Sequence, residues 1–356
     1  MIQPKFKGRG AQTNPKNRFE RLSVDFTNPE YDLGIDAEYF EIQPSTVFFQ
    51  DESKSVISTN DSEDLYFDYS FNPYRGCEHG CIYCYARPSH EFLGFSSGLD
   101  FETKIMIKEK APKLLEKQFN DSSYKPDVIL FCGNTDCYQP VERKLGITRR
   151  ALQVCLDYRN PVSVITKNAL ILRDIDILNE MAGLNLISVM LSVATLDKEL
   201  ANKLEPRTSI PERRLRVVEE LAKNNIPVGV NLAPIIPGLT DKEIPAILKK
   251  AEECGASFAG YILIRLPYSV KDLFAEWLKR ELPDRANKVL NTIKSMHNGK
   301  LNESEFGKRF TGEGELAETI HELFRLSCKK FKLNKERISL TTGLFRRNSG
   351  DQLELF

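Results

Sequence analysis

A repeated alternation of short apolar runs and amphipathic stretches, between residues 68 and 270, constrains the fold more than any other feature of the sequence. The apolar runs have the composition of strands buried on both faces, and the amphipathic stretches have helical spacing. About six such units follow one another, with the apolar runs LYFDYSFN, DVILFCGN, PVSVITKN, LNLISVMLSVA, IPVGVNLAPIIPG and SFAGYILIRLP. This order predicts a parallel sheet covered by helices, either open or curved into a partial barrel, because a full barrel needs eight units.

The segments on either side of these units have a different character. Residues 1–67 are polar and irregular apart from TVFFQDESKSVIS, which predicts a strand or a hairpin, and we expect a partly flexible N-terminal extension there. Residues 271–345 contain two long amphipathic stretches and predict a C-terminal helical subdomain. Residues 346–356 are expected to form a flexible tail.

The composition narrows the class of protein. The formal net charge of the 356-residue chain is zero, so a polyanion would have to bind through local basic patches. No apolar run approaches the roughly 18 residues of a membrane-spanning helix, and the first residues, MIQPKFKGRGAQ, lack the apolar centre of a signal peptide. We therefore expect a cytoplasmic protein without a membrane partner. In that reducing compartment a tight cluster among the eight cysteines is expected to bind metal or do chemistry rather than form disulfides, whereas Cys155, Cys254 and Cys328 are interpreted as core residues.

Unusual polar residues follow the apolar runs of the repeated units. They include a cysteine-rich loop and the segments GNTDCYQP, TKN and SVAT. Because the carboxyl ends of parallel strands meet at one edge of the sheet, these segments are expected to lie together. That edge is the predicted site of chemistry.

The loop RGCEHGCIYCYA places Cys77, Cys81 and Cys84 within eight residues. With a fourth ligand the three thiolates would form a tetrahedral zinc site, for which His79 and His90 are the nearby candidates. With three thiolates only, a [4Fe–4S] cluster would keep one iron open to a substrate, since four cysteines are its usual complement. Buried structural cysteines are a third interpretation.

The C-x3-C-x2-C spacing, with the aromatic Tyr83 just before the last cysteine, resembles the signature of radical S-adenosylmethionine enzymes. The resemblance implies a partial (β/α)6 barrel of the TIM type. It also implies that Cys77, Cys81 and Cys84 ligate a [4Fe–4S] cluster and that S-adenosylmethionine binds its open iron. An electron donor such as flavodoxin or ferredoxin would reduce the cluster, and a 5′-deoxyadenosyl radical would abstract hydrogen from the substrate.

Within that superfamily, NPYRGCEHGCIYCYARP, TDCYQPVE, VITKN and SVATLDKELANKLEPRT resemble the spore photoproduct lyase and DNA repair photolyase-like family, over roughly residues 72–267. By position, the resemblance implies that Lys167 meets the carboxylate of S-adenosylmethionine; an ordinary surface lysine is the alternative. It implies further cofactor-binding residues at Tyr83, Gly133, Asn134, Thr135, Asp136 and Ser192. Glu205 and Arg207 either contact the ligand or form an ion pair with each other.

Spore photoproduct lyase uses a cysteine to return a hydrogen atom to the repaired base, and two cysteines lie in the corresponding region here. Cys137 is the favoured catalytic candidate because it lies beyond the predicted strand, whereas Cys132 is expected to pack in the strand. A buried, inert thiol is the alternative for each. The segment TDCYQP departs from the lyase pattern, so the resemblance does not by itself assign the thymine-dimer substrate.

The last five residues resemble the pentapeptide with which bacterial repair enzymes bind the DNA polymerase III sliding clamp. These are Gln352, Leu353, Glu354, Leu355 and Phe356. Apolar anchors on a tether suit a peptide-binding pocket, and a tail folded back on its own domain is the alternative. Three basic clusters bear on a nucleic-acid partner. They are the N-terminal arm, interpreted as contacting phosphate, Arg213, Arg214 and Arg216, interpreted as a solvated face, and Lys329, Lys330 and Lys332.

The leading hypothesis is a radical S-adenosylmethionine enzyme that acts on DNA or another nucleic acid in damage repair, as a carbon–carbon lyase recruited by the sliding clamp. One alternative keeps the radical chemistry but modifies RNA, a protein or a small molecule. Another alternative, of a different class, is a zinc-binding adaptor that docks on the clamp.

Overall fold

A computed structural model describes residues 6–19, 45–60, 62–65, 67–303, 305 and 307–347. The strands are β1 (Val47–Gln50), β2 (Ile57–Thr59), β3 (Tyr69–Phe71), β4 (Tyr74–Arg75), β5 (Lys104–Ile107), β6 (Ile129–Phe131), β7 (Val162–Thr166), β8 (Ile187–Ser192), β9 (Val228–Ile235) and β10 (Phe258–Leu263). The helices are α1 (Asp100–Thr103), α2 (Ala111–Asn120), α3 (Glu142–Leu145), α4 (Ile147–Asp157), α5 (Ile175–Gly183), α6 (Lys198–Leu204), α7 (Pro211–Lys223), α8 (Ile244–Glu253), α9 (Val270–Glu281), α10 (Pro283–Ser295) and α11 (Glu315–Lys330). None of these helices is long and apolar enough to cross a membrane.

The main sheet has seven strands in the order β10-β9-β8-β7-β6-β3-β2. Neighbouring strands from β3 to β10 are parallel, and β2 alone runs antiparallel, to β3. The six predicted strand–helix units are therefore confirmed, in a partial barrel whose end strands are β2 and β10. The two edges meet through side chains: Arg309, beside β10, forms an ion pair with Asp64 in the connection between β2 and β3.

The core explains why these sequences adopt alternating strands and helices. Every side chain of β6 is buried, and β8 is buried at five of six positions. On α4, Ala151, Leu152 and Cys155 recur at helical spacing and face the sheet. Each fully buried aliphatic side chain contributes roughly 1.5–3 kcal/mol, so this repeated pattern supplies most of the drive to fold.

A second, three-stranded sheet contains the segment TVFFQDESKSVIS in part. Here β1 pairs in parallel with β5, and β4 pairs with the other edge of β5. The predicted strand is present, but a hairpin is wrong, because β2 pairs with β3 in the main sheet instead of with β1. Each strand is paired with a strand from elsewhere in the chain.

Residues 6–18 lie against the cysteine loop. A Cβ atom on Gly10 would lie 1.9 Å from the carbonyl oxygen of Gly80, so the two backbones are in direct contact. The carbonyl of Thr13 accepts a hydrogen bond of 3.1 Å from the Leu99 amide. Arg18 pairs with the buried Glu91. This arginine of the predicted phosphate-contacting arm is thus engaged within the protein, and Lys5 and Arg21 lie outside the described residues.

The C-terminal helices form a second apolar cluster beside the barrel. Phe274 and Trp277 of α9 stack with ring centroids 5.6 Å apart, and both side chains are buried. The indole of Trp277 donates a hydrogen bond of 3.1 Å to the carbonyl of Lys203, at the end of α6. This packing fixes α9 against the loop that follows β8.

Candidate active site

The three loop cysteines lie between β4 and a 3-10 helix that spans Arg87–Leu93. The amide of Cys77 donates to the carbonyl of Phe101 at 2.9 Å, and the amide of Cys84 donates to the carbonyl of Cys81 at 3.2 Å. Gly80, with a φ of +68°, has no room for a side chain, because a Cβ there would lie 2.7 Å from a carboxylate oxygen of Glu102. The loop therefore has one tightly packed path across the carboxyl end of the sheet.

A buried ion pair holds this loop from beneath. The guanidinium of Arg87 lies 2.5 Å from the carboxylate of Glu102, and both side chains are fully buried. Arg87 also donates two hydrogen bonds, of 2.9 and 3.0 Å, to the carbonyl of Cys81. The same carboxylate accepts hydrogen bonds from the amides of Gly10 and Ala11. Neither Arg87 nor Glu102 was among the residues predicted for the site.

The spacing of the cysteines distinguishes a cluster from a single ion. In the described part of the chain, Cys132, Asp136 and Cys137 are the only three ligand-type side chains whose atoms all lie within 4.8 Å of one another. The sulfurs of the loop cysteines are therefore spread more widely than a tetrahedral zinc requires, about 3.8 Å for Zn–S bonds of about 2.3 Å. One thiolate on each of three irons suits this wider spacing.

The two candidate histidine ligands are occupied by other contacts. His90 is buried, and its Nε2 lies 2.8 Å from the carbonyl of Lys104. His79 lies between the side chains of Asp136, at 3.4 Å, and Asn168, at 3.0 Å, and it also lies beside the thiol of Cys77. Without either imidazole the loop offers three thiolates, which fits a [4Fe–4S] cluster with one iron left for another ligand.

The turn after β6 supports the cysteine loop from the side. The hydroxyl of Thr135 donates to the carbonyl of Gly76 at 2.6 Å, and the amide of Asn134 donates to the side chain of Asn72 at 2.7 Å. Thr135 is buried, whereas Asn134 is exposed. Thr135 is therefore occupied by the protein, and Gly133 and Asn134 border the open side of the site.

Asp136 joins this turn to the next strand. Its carboxylate accepts hydrogen bonds from the hydroxyl of Thr166, at 2.8 Å, and from the amide of Lys167, at 2.9 Å. Burial alone would raise the pKa of Asp136, but the charge of His79, with hydrogen bonds from His79 and from the amides of Lys167 and Tyr138, lowers it to about 2. The carboxylate is thus ionised and fully engaged, and it locks the ends of β6 and β7 to the cysteine loop.

Lys167 and Ser192 lie at the ends of neighbouring strands, as predicted. The ammonium group of Lys167 has no hydrogen bond or ion pair with the described residues, and its charge acts on Cys81 and Cys84. Ser192 ends β8 and is almost fully buried, and its carbonyl accepts a hydrogen bond of 2.8 Å from Arg214. Lys167 is thus a cation without a hydrogen-bonded partner among the described residues, close to Cys81 and Cys84.

Tyr83 and Glu205 form part of a buried network. The hydroxyl of Tyr83 donates to Glu205, which also forms an ion pair with Arg214. Burial alone would raise the pKa of Glu205, but the charges of Arg214 and Lys167 lower it. The interpretation of Arg214 as part of a solvated face is wrong, because its side chain is 1% exposed.

The partners of Arg207 and Glu205 also differ from the predicted pair. Arg207 lies 3.3 Å from Glu78 in the cysteine loop, whereas the guanidinium that neutralises Glu205 belongs to Arg214. Arg207 lies before α7, whereas Arg214, in the first turn of that helix, reaches back to the preceding loop and donates a hydrogen bond of 2.7 Å to the carbonyl of Ser209.

The two thiols after β6 differ in exposure. Cys132 lies just past the end of the strand, with a φ of +80°, and is partly exposed. Cys137 is fully buried, and its amide donates to the sulfur of Cys132 at 3.2 Å. Tyr85, which sequence reasoning did not select, is 47% exposed beside them and donates a hydrogen bond to the carbonyl of Gly133.

Comparison with known proteins agrees with this architecture. The family model of the radical SAM superfamily matches residues 71–251, half of the chain. An uncharacterized protein of Mycobacterium tuberculosis is 32% identical over 62% of this chain, and one of Methanocaldococcus jannaschii is 30% identical over 49% of it. The chain spans 65% and 63% of the length of these relatives.

Solved structures of spore photoproduct lyase share the fold. The structure of that enzyme complexed with dinucleoside spore photoproduct superimposes with a TM-score of 0.58 and 16% sequence identity, over 80% of this chain and 79% of the other. The family match, the cysteine loop and the partial barrel lead to one conclusion. The chain belongs to the radical SAM superfamily, the enzyme family that uses a [4Fe–4S] cluster and S-adenosylmethionine.

Proposed function

We propose that the protein acts on nucleic acid, as a carbon–carbon lyase of DNA repair in the cytoplasm. The observation that carries this proposal is the partly exposed thiol of Cys132 at the end of β6, close to the cysteine loop, in a barrel with the fold of spore photoproduct lyase. When bound, the cluster and S-adenosylmethionine supply an electron and a 5′-deoxyadenosyl radical. The protein has to position the reactants and control hydrogen atoms around them.

Three residues have the positions for those tasks. Lys167 offers an unpaired ammonium group to the carboxylate of S-adenosylmethionine, beside the loop cysteines. Ser192, together with Gly133 and Asn134 of the turn, lines the strand ends where the nucleoside part would lie. The remaining predicted cofactor residues are Tyr83, Thr135 and Asp136. Their polar side-chain atoms are bonded to Glu205, Gly76 and Thr166, so these three residues support the site from within the protein.

Cys132 takes the role of hydrogen donor for which the sequence favoured Cys137. Its S–H bond breaks and a C–H bond forms at a substrate carbon radical, leaving a thiyl radical on the sulfur. Cys137 suits the role less, because it is fully buried and its carbonyl is held by the hydroxyl of Thr148 at 2.7 Å. It instead holds Cys132 in place through its amide.

A cofactor-turnover assay tests this function. Anaerobically reconstituted protein is reduced and given S-adenosylmethionine with an oligonucleotide that carries spore photoproduct, and 5′-deoxyadenosine and repaired thymine are measured. Wild type is expected to give both products. In heavy water the repaired thymine should carry solvent deuterium, because the thiol exchanges with solvent, and C132A should lose repair while it still forms 5′-deoxyadenosine.

Two results would contradict the proposal. Cofactor cleavage that RNA, a protein extract or a small molecule stimulates, but damaged DNA does not, would assign the radical to another substrate. A triple C77A/C81A/C84A variant as active as wild type would remove the cluster from the reaction. One zinc per chain and no iron after anaerobic purification would support the adaptor alternative.

Recruitment by the sliding clamp completes the proposal. The peptide from Gln352 to Phe356 lies outside the described residues, and the last described stretch is anchored to the barrel. There Arg346 donates to the carbonyl of Asp157, at 2.9 Å, and Arg347 to that of Tyr124, at 3.0 Å. The tail thus starts from a fixed point. Deletion of residues 352–356 should abolish clamp binding in a pull-down with purified clamp, and unchanged binding would exclude this role.

A further inference from the structure

Arg265 is a partly buried arginine without a polar partner. It lies two residues beyond the end of β10, and its Nε atom is buried without a hydrogen bond to any part of the chain that the structure describes. The other two buried guanidinium groups near the site, those of Arg87 and Arg214, are each paired with a glutamate. A partly buried guanidinium without a counter-charge destabilises the folded protein. A bound anion would remove that cost.

The charges around Arg265 leave it unneutralised. Burial and the nearby charge of Arg309 lower the pKa of the Arg265 guanidinium below its ordinary value. The carboxylate of Asp64 acts on it from a distance but is bonded directly to Arg309. The carboxylate that acts on Arg265 is therefore engaged by another guanidinium, and the positive charge of Arg265 favours an anion.

The position of Arg265 relates it to the reaction site. Its guanidinium lies 5.8 Å from the ring centroid of Tyr85, the residue after Cys84, and 4.8 Å from that of Phe310. Tyr85 is half exposed and is bonded to the carbonyl of Gly133 beside Cys132. Arg265 thus lies at the same carboxyl end of the sheet as the loop cysteines, with the rings of Tyr85 and Phe310 beside its guanidinium.

We propose that Arg265 holds a backbone phosphate of a single nucleic-acid strand, with the rings of Tyr85 and Phe310 beside the adjoining nucleotide. The inference rests on the proposed action on nucleic acid and assigns the residue that places the strand. A guanidinium offers a fork of donors that matches a phosphate, and aromatic rings stack on bases whatever their sequence. The site therefore selects a polymer by its backbone and not by its base sequence.

Oligonucleotide binding tests the inference independently of catalysis. The anisotropy of a labelled single-stranded DNA is measured with cluster-loaded protein and S-adenosylmethionine, at several potassium chloride concentrations. R265Q is expected to bind about tenfold more weakly, as the loss of one charge-assisted hydrogen bond implies. The slope of log affinity against log salt should fall by about one, and R265K should keep the slope.

A matched control and a folding check accompany these variants. R213Q removes an exposed arginine from α7 and should bind as wild type does. Iron content and visible absorbance show whether R265Q and R265K keep the cluster. If R265Q keeps both the affinity and the salt slope of wild type, the inference is overturned while action on nucleic acid stands. If wild type binds no oligonucleotide yet forms 5′-deoxyadenosine, the inference and the nucleic-acid proposal both fail.

Discussion

Glu102 and Arg87 form an ion pair, with 2.5 Å between nitrogen and oxygen, in which neither side chain is exposed to solvent. Through it the N-terminal arm, the cysteine loop and α1 share one carboxylate, because the amides of Gly10 and Ala11 donate to Glu102 and Arg87 donates to Cys81. The position of the cysteines therefore depends on a buried carboxylate directly beneath their loop.

Replacing Glu102 by glutamine should destabilise the protein strongly. E102Q leaves the Arg87 guanidinium buried without a counter-charge, and breaking such a pair costs about 3–5 kcal/mol. Urea unfolding followed by the fluorescence of Trp277 measures the free energy. The control E180Q, at an exposed position of α5, should stay within about 0.5 kcal/mol of wild type. An equally small effect in E102Q would mean that the pair contributes little.

A methyl group on Gly10 should separate the N-terminal arm from the cysteine loop. The added Cβ would lie 1.9 Å from the carbonyl oxygen of Gly80, so one backbone has to move, at a cost of about 1–3 kcal/mol. We expect G10A to retain less iron and to be cut faster by protease within residues 6–18. G183A, where a Cβ meets no atom within 4 Å, is the matched control. Wild-type iron content in G10A would show that the arm does not support the loop.

The stability of the protein should fall in mild acid because of His90. Burial lowers the pKa of this imidazole to about 4, from an ordinary value of 6.5, and its Nδ1 lacks a partner among the described residues. Between pH 6.5 and 4, His90 is therefore protonated in the unfolded chain but neutral in the folded protein. Stability is complete above pH 6.5 and declines by up to about 3 kcal/mol as the pH falls to 4.

The variant H90Q isolates this contribution. Glutamine retains a donor for the carbonyl of Lys104 but does not titrate, so its unfolding free energy should vary less between pH 6.5 and 4 than that of wild type. H321Q, at an exposed histidine, should keep the wild-type pH dependence. Parallel pH curves for wild type and H90Q would assign the acid sensitivity to other groups.

Lys167 should govern affinity for S-adenosylmethionine. K167Q removes the unpaired ammonium group beside Cys81 and Cys84, and a lost charge-assisted contact weakens binding about tenfold or more. Equilibrium dialysis of cluster-loaded protein measures the affinity directly. K223Q changes an exposed lysine of α7 that pairs with Glu219 and should bind as wild type does. Equal affinities in the two variants would make Lys167 an ordinary surface residue.

The fold was predictable from the sequence where the signal is periodic. Buried parallel strands and the helices between them repeat one pattern six times, and the three cysteines stand within eight residues. The pairing of charges was not predictable. Arg87 and Glu102 lie in different elements, and no motif or periodic pattern in the sequence connects them. Arg214 looks in sequence like its exposed neighbours Arg213 and Arg216.

Cys132 shows why local geometry also escaped prediction. Its apolar neighbours suggest that it continues β6, yet the strand ends at Phe131 and Cys132 adopts a φ of +80°. A left-handed backbone at a residue other than glycine has no compositional signature. The backbone turn, and not the sequence position, makes Cys132 the more accessible of the two thiols.

The ion pair between Asp64 and Arg309 joins the two edges of the sheet by side chains, whereas every other strand neighbour is joined by backbone hydrogen bonds. The gap between these two edges can therefore widen by breaking one ion pair, without the loss of any backbone hydrogen bond between strands.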